Sequence, residues 1–159
     1  MRRAAWACLW GLLLGSAHSV IAAQSAPVPI VERARGAERV AVGRVTAVTP
    51  AWQVNEFGDR LIVSTVRIAV DEHLKGPAAP TLDVEVEGGT IGELTLHVSD
   101  QEPLAPGERA VFFLTRGPGG AFRPHLRGLG LLKLDAGNRV PGSSLTLDII
   151  RREVAAANR

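Results

Sequence analysis

Three strand-like runs, separated by glycine-rich breaks, occupy the middle of the chain. Leu82, Val84 and Val86 alternate with Asp83, Glu85 and Glu87, which predicts a strand with one apolar and one acidic face. After the Gly88-Gly89 break, Leu94, Leu96 and Val98 alternate with Thr95 and His97 and predict a second. The third run, Ala110 to Leu114, is apolar without alternation, the pattern of a strand covered on both faces.

The same patterning extends outward in both directions. Ile30 to Arg35 predicts a short helix, with Pro29 near its first turn and Gly36 at its end. Glu38 to Thr49 predicts a first long strand, in which the apolar parity changes between Val42 and Val45 and points to a bulge or bend at Gly43. Pro50 to Asp59 is expected to be a loop. Arg60 to Glu72 predicts a second long strand, stopped by His73 to Pro77. Gly117 to Gly120 predicts a hairpin onto Ala121–Leu126, with one more short strand from Gly130 to Leu134. Thr146 is placed to cap a closing helix from Leu147 to about Ala156, whose Leu147, Ile150 and Val154 share one face.

Short strands at regular spacing predict a mainly β fold. Two long, bent early strands favour a small OB-like barrel, closed or partly open, over a flat sandwich, with a short N-terminal helix and a C-terminal helix.

The first residues change the charge picture. Arg2-Arg3, an apolar run to Gly15 and a small-residue zone ending Val20-Ile21-Ala22-Ala23 have the order of a secretory signal peptide. The apolar run is about a dozen residues, short of the ~20 a spanning helix needs. The expected division is residues 1–23 as signal and 24–159 as one β-barrel domain, exported to a periplasm or beyond the cell. Cys8 leaves with the signal, so no disulfide is expected in the mature chain. Eighteen basic residues less Arg2 and Arg3 balance sixteen acidic ones. A neutral domain gives no electrostatic basis for a nucleic-acid or anionic-membrane partner.

IVERARGAERVAVGRVTAV, VRIAVDEHLKG, EGGTIGELTLHVSD and PGERAVFFL together resemble a largely uncharacterised family of small exported bacterial proteins, over roughly residues 28 to 134. The layout also looks like the OB-type barrel of netrin-like domains, including the tissue inhibitors of metalloproteinases. Those inhibitors chelate the protease zinc through an N-terminal cysteine. No cysteine is expected in the mature chain, so no zinc-binding residue carries over.

Chemistry-capable residues are sparse. His73, His97 and His125 lie on separate segments without H-x-x-x-H or H-E-x-x-H spacing, and scattered histidines are far more often solvated strand ends than ligands. His97 is expected to face out. No G-x-S-x-G elbow occurs, and His97, Ser99 and Asp100 are too close along the chain to assemble a triad locally. The acidic stripe of Asp83, Glu85 and Glu87 reads as a solvated face paired with arginines such as Arg67, in preference to a cation site. No cofactor is expected.

Trp6 and Trp10 leave with the signal, which makes Trp52 the mature chain's only tryptophan. The segment 50–59, with Trp52, Gln53, Asn55 and Phe57, is the strongest interaction candidate; its alternative is Trp52 folded back to plug the barrel. The sequence therefore points to a non-enzymatic exported module binding an extracytoplasmic protein or glycan. A netrin-like protease inhibitor working by loop occlusion stands second, and a metal-dependent hydrolase third.

Overall fold

A computed structural model of the chain describes residues 28–55 and 57–159. The signal-peptide reading and Cys8 lie outside the described residues. In chain order the elements are α1 (Ile30–Gly36), β1 (Arg39–Val54), β2 (Arg60–Lys75), β3 (Thr81–Glu87), β4 (Gly89–Ile91), β5 (Leu94–Leu96), β6 (Arg109–Arg116), β7 (Phe122–Pro124), β8 (Leu131–Leu134) and α2 (Leu147–Ala157).

The pairings run β1-β2-β3-β7-β6 and return to β1 through an antiparallel β1–β6 ladder, with β8 on the other edge of β6. The ring is complete in order, but its β3–β7 step is one parallel bridge, Val84 to Phe122. The mainly β, OB-like expectation holds in its partly open form.

Strand β6 shows why its run does not alternate. Val111 and Phe113 turn to a core shared with α1 and α2, against Ala34, Leu147, Ile150 and Val154. Ala110, Phe112 and Leu114 turn the other way, into the barrel interior with Val45, Val66, Ile68 and Val84. Both rings are fully buried. The helices lie outside the barrel and give β6 its second cover, so the strand is apolar throughout.

The same division explains the parity change in β1. Val40 and Val42 face the helices, while Ala41 and Val45 face the barrel interior, so both parities are buried at once. The ladder with β2 is irregular beside Gly43, as the sequence predicts, and again between Val45 and Ala47. Gly43 itself is a site of close approach: a Cβ there would stand 2.5 Å from Ile68 Cγ2 and 2.6 Å from the Ala69 carbonyl oxygen. Thr146 caps α2 as expected, its hydroxyl accepting from the Ile149 N–H at 3.3 Å.

Three expectations change. Strand β1 runs through Pro50 to Val54, so the loop expected over 50–59 shrinks to a tight turn and Trp52 belongs to a strand. Strand β2 continues past Glu72 to Lys75. The run from Leu94 to Val98 is a strand only over Leu94–Leu96; it folds with β4 into a separate two-stranded hairpin, and Leu94 is 61% exposed. Of its apolar residues only Leu94 is exposed; Leu96 and Val98 are half-buried and border a small cavity with Val66 and Val86.

Candidate functional site

Strands β1 and β2 form a hairpin that outruns the strands beside it. Strand β3 pairs with β2 only from Val63 onward, and β6 leaves β1 at Arg44, so residues 51–62 project as a two-stranded arm. Trp52 is paired with Ile62 and Val54 with Arg60. Paired residues share a face, so Trp52, Val54 and Arg60 lie on the same side of the arm as Ile62, which is buried. The arm's inner face therefore continues the barrel interior into solvent. Trp52 is 39% exposed, Val54 68% and Phe57, in the turn, 81%. Trp52 is neither a plug nor a loop residue; it stands at the rim, with the Arg60 guanidinium 4.5 Å from its ring centroid.

The turn that presents Phe57 is cross-braced by Asn55. Its Oδ1 accepts from the N–H groups of Phe57 (3.0 Å) and Asp59 (2.8 Å), and its Nδ2 donates to Asp59 Oδ2 at 3.2 Å. Gly58 supplies the positive φ of 87° that the turn needs. Gln53, on the opposite face, donates to Glu85 Oε1 at 3.4 Å. Of the four residues singled out from sequence, Trp52 and Phe57 are displayed, while Asn55 and Gln53 hold the arm that displays them. Val54 is displayed as well; with β1 extended past Pro50, its alternation with Trp52 identifies it.

The acidic stripe is taken up by partners. Arg67 holds Asp83 through two bonds of 2.8 and 2.9 Å, Glu85 accepts from Gln53, and Glu87 from Arg127. The Arg67 guanidinium keeps the Asp83 carboxyl below its ordinary pKa. A carboxyl that binds its proton more weakly when folded supports the fold above the unfolded value, about 3.9, and loses that support as pH falls through the lower folded one. An Asp83→Asn variant should therefore be less stable than the parent at neutral pH, with the difference shrinking as pH falls below the unfolded value of about 3.9. Urea unfolding across that range checks it, and a gap that persists undiminished in acid would count against the assignment.

The histidines do not meet. His73 Nε2 accepts from the Ala79 N–H at 3.0 Å, and His97 is exposed, as expected. His125 packs against the end of α1, where a Cβ on Gly36 would fall 2.2 Å from its Nε2. Burial, and then the nearby Lys75 charge, lower the His125 pKa, so the ring is neutral at pH 7. Among the described residues no group of three or more His, Cys, Asp or Glu side chains is placed to hold a metal ion. Asp100 is bound by Arg127 at 2.9 Å, not by His97.

Two concave features stand out among the described residues. A cavity of about 70 Å³ lies at the barrel mouth, bordered by Ser64, Gly88, Gly89 and Gln101, and the buried Gln101 Oε1 has no hydrogen-bond partner among the described residues. That is room for about two waters. An open groove of about 520 Å³ runs between residues 99–104 and β8, with Leu104, Leu129, Leu131, Leu132 and Val140 on its walls. Its cation, Lys133, is already bound by the Pro103 carbonyl (2.7 Å) and Glu108 (2.9 Å). Neither feature gathers convergent polar groups of the kind that orient a substrate.

The chain matches no protein-family model, and no curated protein matches its sequence.

Proposed function

We propose that the chain is an exported, non-enzymatic binding module that contacts a protein partner through the end of the β1–β2 arm, with Trp52 and Phe57 as anchors. The observation that carries this reading is the display of Trp52, Val54 and Phe57, 39%, 68% and 81% exposed, on an arm whose turn is braced by Asn55. Apolar side chains held on a rigid hairpin lose little conformational freedom when they are covered, so most of their burial energy goes into association. Tryptophan is among the residues that most often dominate an interface. The neutral mature charge expected from the sequence fits contacts made mainly by apolar side chains.

The test is a Trp52→Ala, Phe57→Ser double variant. Because both side chains are largely outside the core, its thermal midpoint should stay within a few degrees of the parent. Cross-linking of the processed protein in its own envelope and culture fluid should identify the partner, and the double variant should bind it about thirtyfold or more less tightly, as loss of about 2 kcal/mol of anchor contacts implies. Undiminished binding sinks the reading; so does unfolding of Trp52→Ala alone, which would make that ring a core residue.

A further inference from the structure

Strand β1 parts from β6 at Val45, whose N–H donates to the Glu108 carbonyl and whose own carbonyl accepts from Gly107, both at 2.8 Å. From there to Val54 it pairs with β2 alone, and among the described residues no strand pairs with its other edge. The hairpin end shows which backbone groups face that edge. The Asn55 N–H donates to the Asp59 carbonyl at 2.9 Å and so points toward β2. Direction alternates along a strand, so Gln53 and Ala51 also address β2, while Val54, Trp52 and Pro50 address the open side. Pro50 fits this assignment, because a proline is tolerated in a sheet where its missing donor would have faced outward. The result is a short edge whose N–H and C=O groups at Trp52 and Val54 have no backbone partner among the described residues, directly beneath the two exposed side chains.

We propose that the edge from Ala51 to Val54 takes an extended peptide segment of the partner protein as an added strand, with apolar residues at alternate positions beside Trp52 and Val54. This rests on the arm being the interface and specifies how it binds. The main-chain groups supply register and part of the affinity, and the two side chains, on one face, select apolar neighbours every second residue. A second copy of this chain fits less well. Pro50 interrupts the edge, and two four-residue edges paired about a two-fold axis would bury far less than the ~1,200 Å² of total surface at the low end for stable association.

The probe is a displayed library of random short peptides, selected on the folded protein. Enriched sequences should carry apolar residues at alternate positions, and their binding should slow amide hydrogen exchange at Trp52 and Val54. Val54→Pro removes one outward donor and should weaken binding about tenfold, whereas Val54→Thr, which keeps the N–H, should stay within about threefold. Pro50→Ala restores a donor and should tighten binding, which keeps the test decisive if Val54→Pro misfolds. If enriched peptides need Trp52 and Phe57 but ignore the Val54→Pro and Pro50→Ala changes, strand addition is wrong and the arm still binds by side chains alone. Peptides indifferent to every arm variant would overturn both readings, and a library in which none is enriched would overturn strand addition. A concentration-dependent dimer lost in Val54→Pro would reassign the edge to a second copy.

Discussion

Replacing Phe113 with alanine should cost about 3–5 kcal/mol, as loss of a fully buried ring does, and should loosen α1 and α2 before the barrel. Phe113 is inaccessible and packs between β1, β6 and both helices, in the cluster that holds Ile30, Leu147 and Ile150. Its neighbour Phe112 is equally buried but belongs to the barrel cluster with Ile68 and Val84. The two alanine variants should therefore have similar stabilities and different damage. Hydrogen exchange should speed first in α2 for Phe113→Ala and in β2 and β3 for Phe112→Ala. Identical exchange patterns would mean the two clusters unfold as one, and a loss well below 2 kcal/mol would mean the ring is not packed as described.

The second large effect is expected at Gly128. A Cβ there would stand 1.4 Å from the Asp100 carbonyl oxygen and 2.6 Å from its carbon, both backbone atoms that no rotamer change can move. Gly128→Ala should cost about 3 kcal/mol and expel residues 98–104 from their seat against the 3-10 turn Arg127–Gly130. Gly119→Ala is the matched control: nothing lies within 4 Å of its added Cβ, but its φ of 85° is left-handed. Backbone conformation alone should cost about 1 kcal/mol there. Urea unfolding of the two variants separates a requirement for space from a requirement for φ, and equal losses would refute the distinction.

The sequence was informative where a pattern has a local cause. The unbroken run of β6 needs two covers, and both exist; Thr146 starts α2 because its hydroxyl can reach the third residue on. Local pattern is uninformative where the cause lies across space. Pro50 has the character of a strand breaker, yet it sits in a strand whose outer edge has no pairing strand among the described residues, and Trp52 belongs to that strand. Leu94 to Val98 alternates as a half-buried strand would, but nothing in the run itself says whether a core lies beneath it. Arg33 is 6% exposed and is held by the Val28 carbonyl at 2.9 Å and the Leu129 carbonyl at 2.7 Å, with its pKa lowered by burial. The partner at Leu129 lies far along the chain, and no spacing rule joins the two. The candidate site divides in the same way: residue type marked Trp52 and Phe57, whereas the bracing roles of Asn55 and Gln53 and the display of Val54 needed the hairpin's register.

Strand β6 carries one more implication. In most strands a slip of one residue is forbidden because it carries the oily side chains into water. Here both sides are oily, so a slipped β6 would still be dry, and hydrophobicity alone cannot choose its alignment. The choice falls to the polar residues bracketing the run: Arg109, which reaches Asp71 at 2.8 Å and also bonds Asn138, and Arg116, whose N–H donates to Glu38 at 2.8 Å. These exposed contacts add little to stability singly. Their office is to act as end stops, fixing where a strand that would be content in either of two alignments comes to rest.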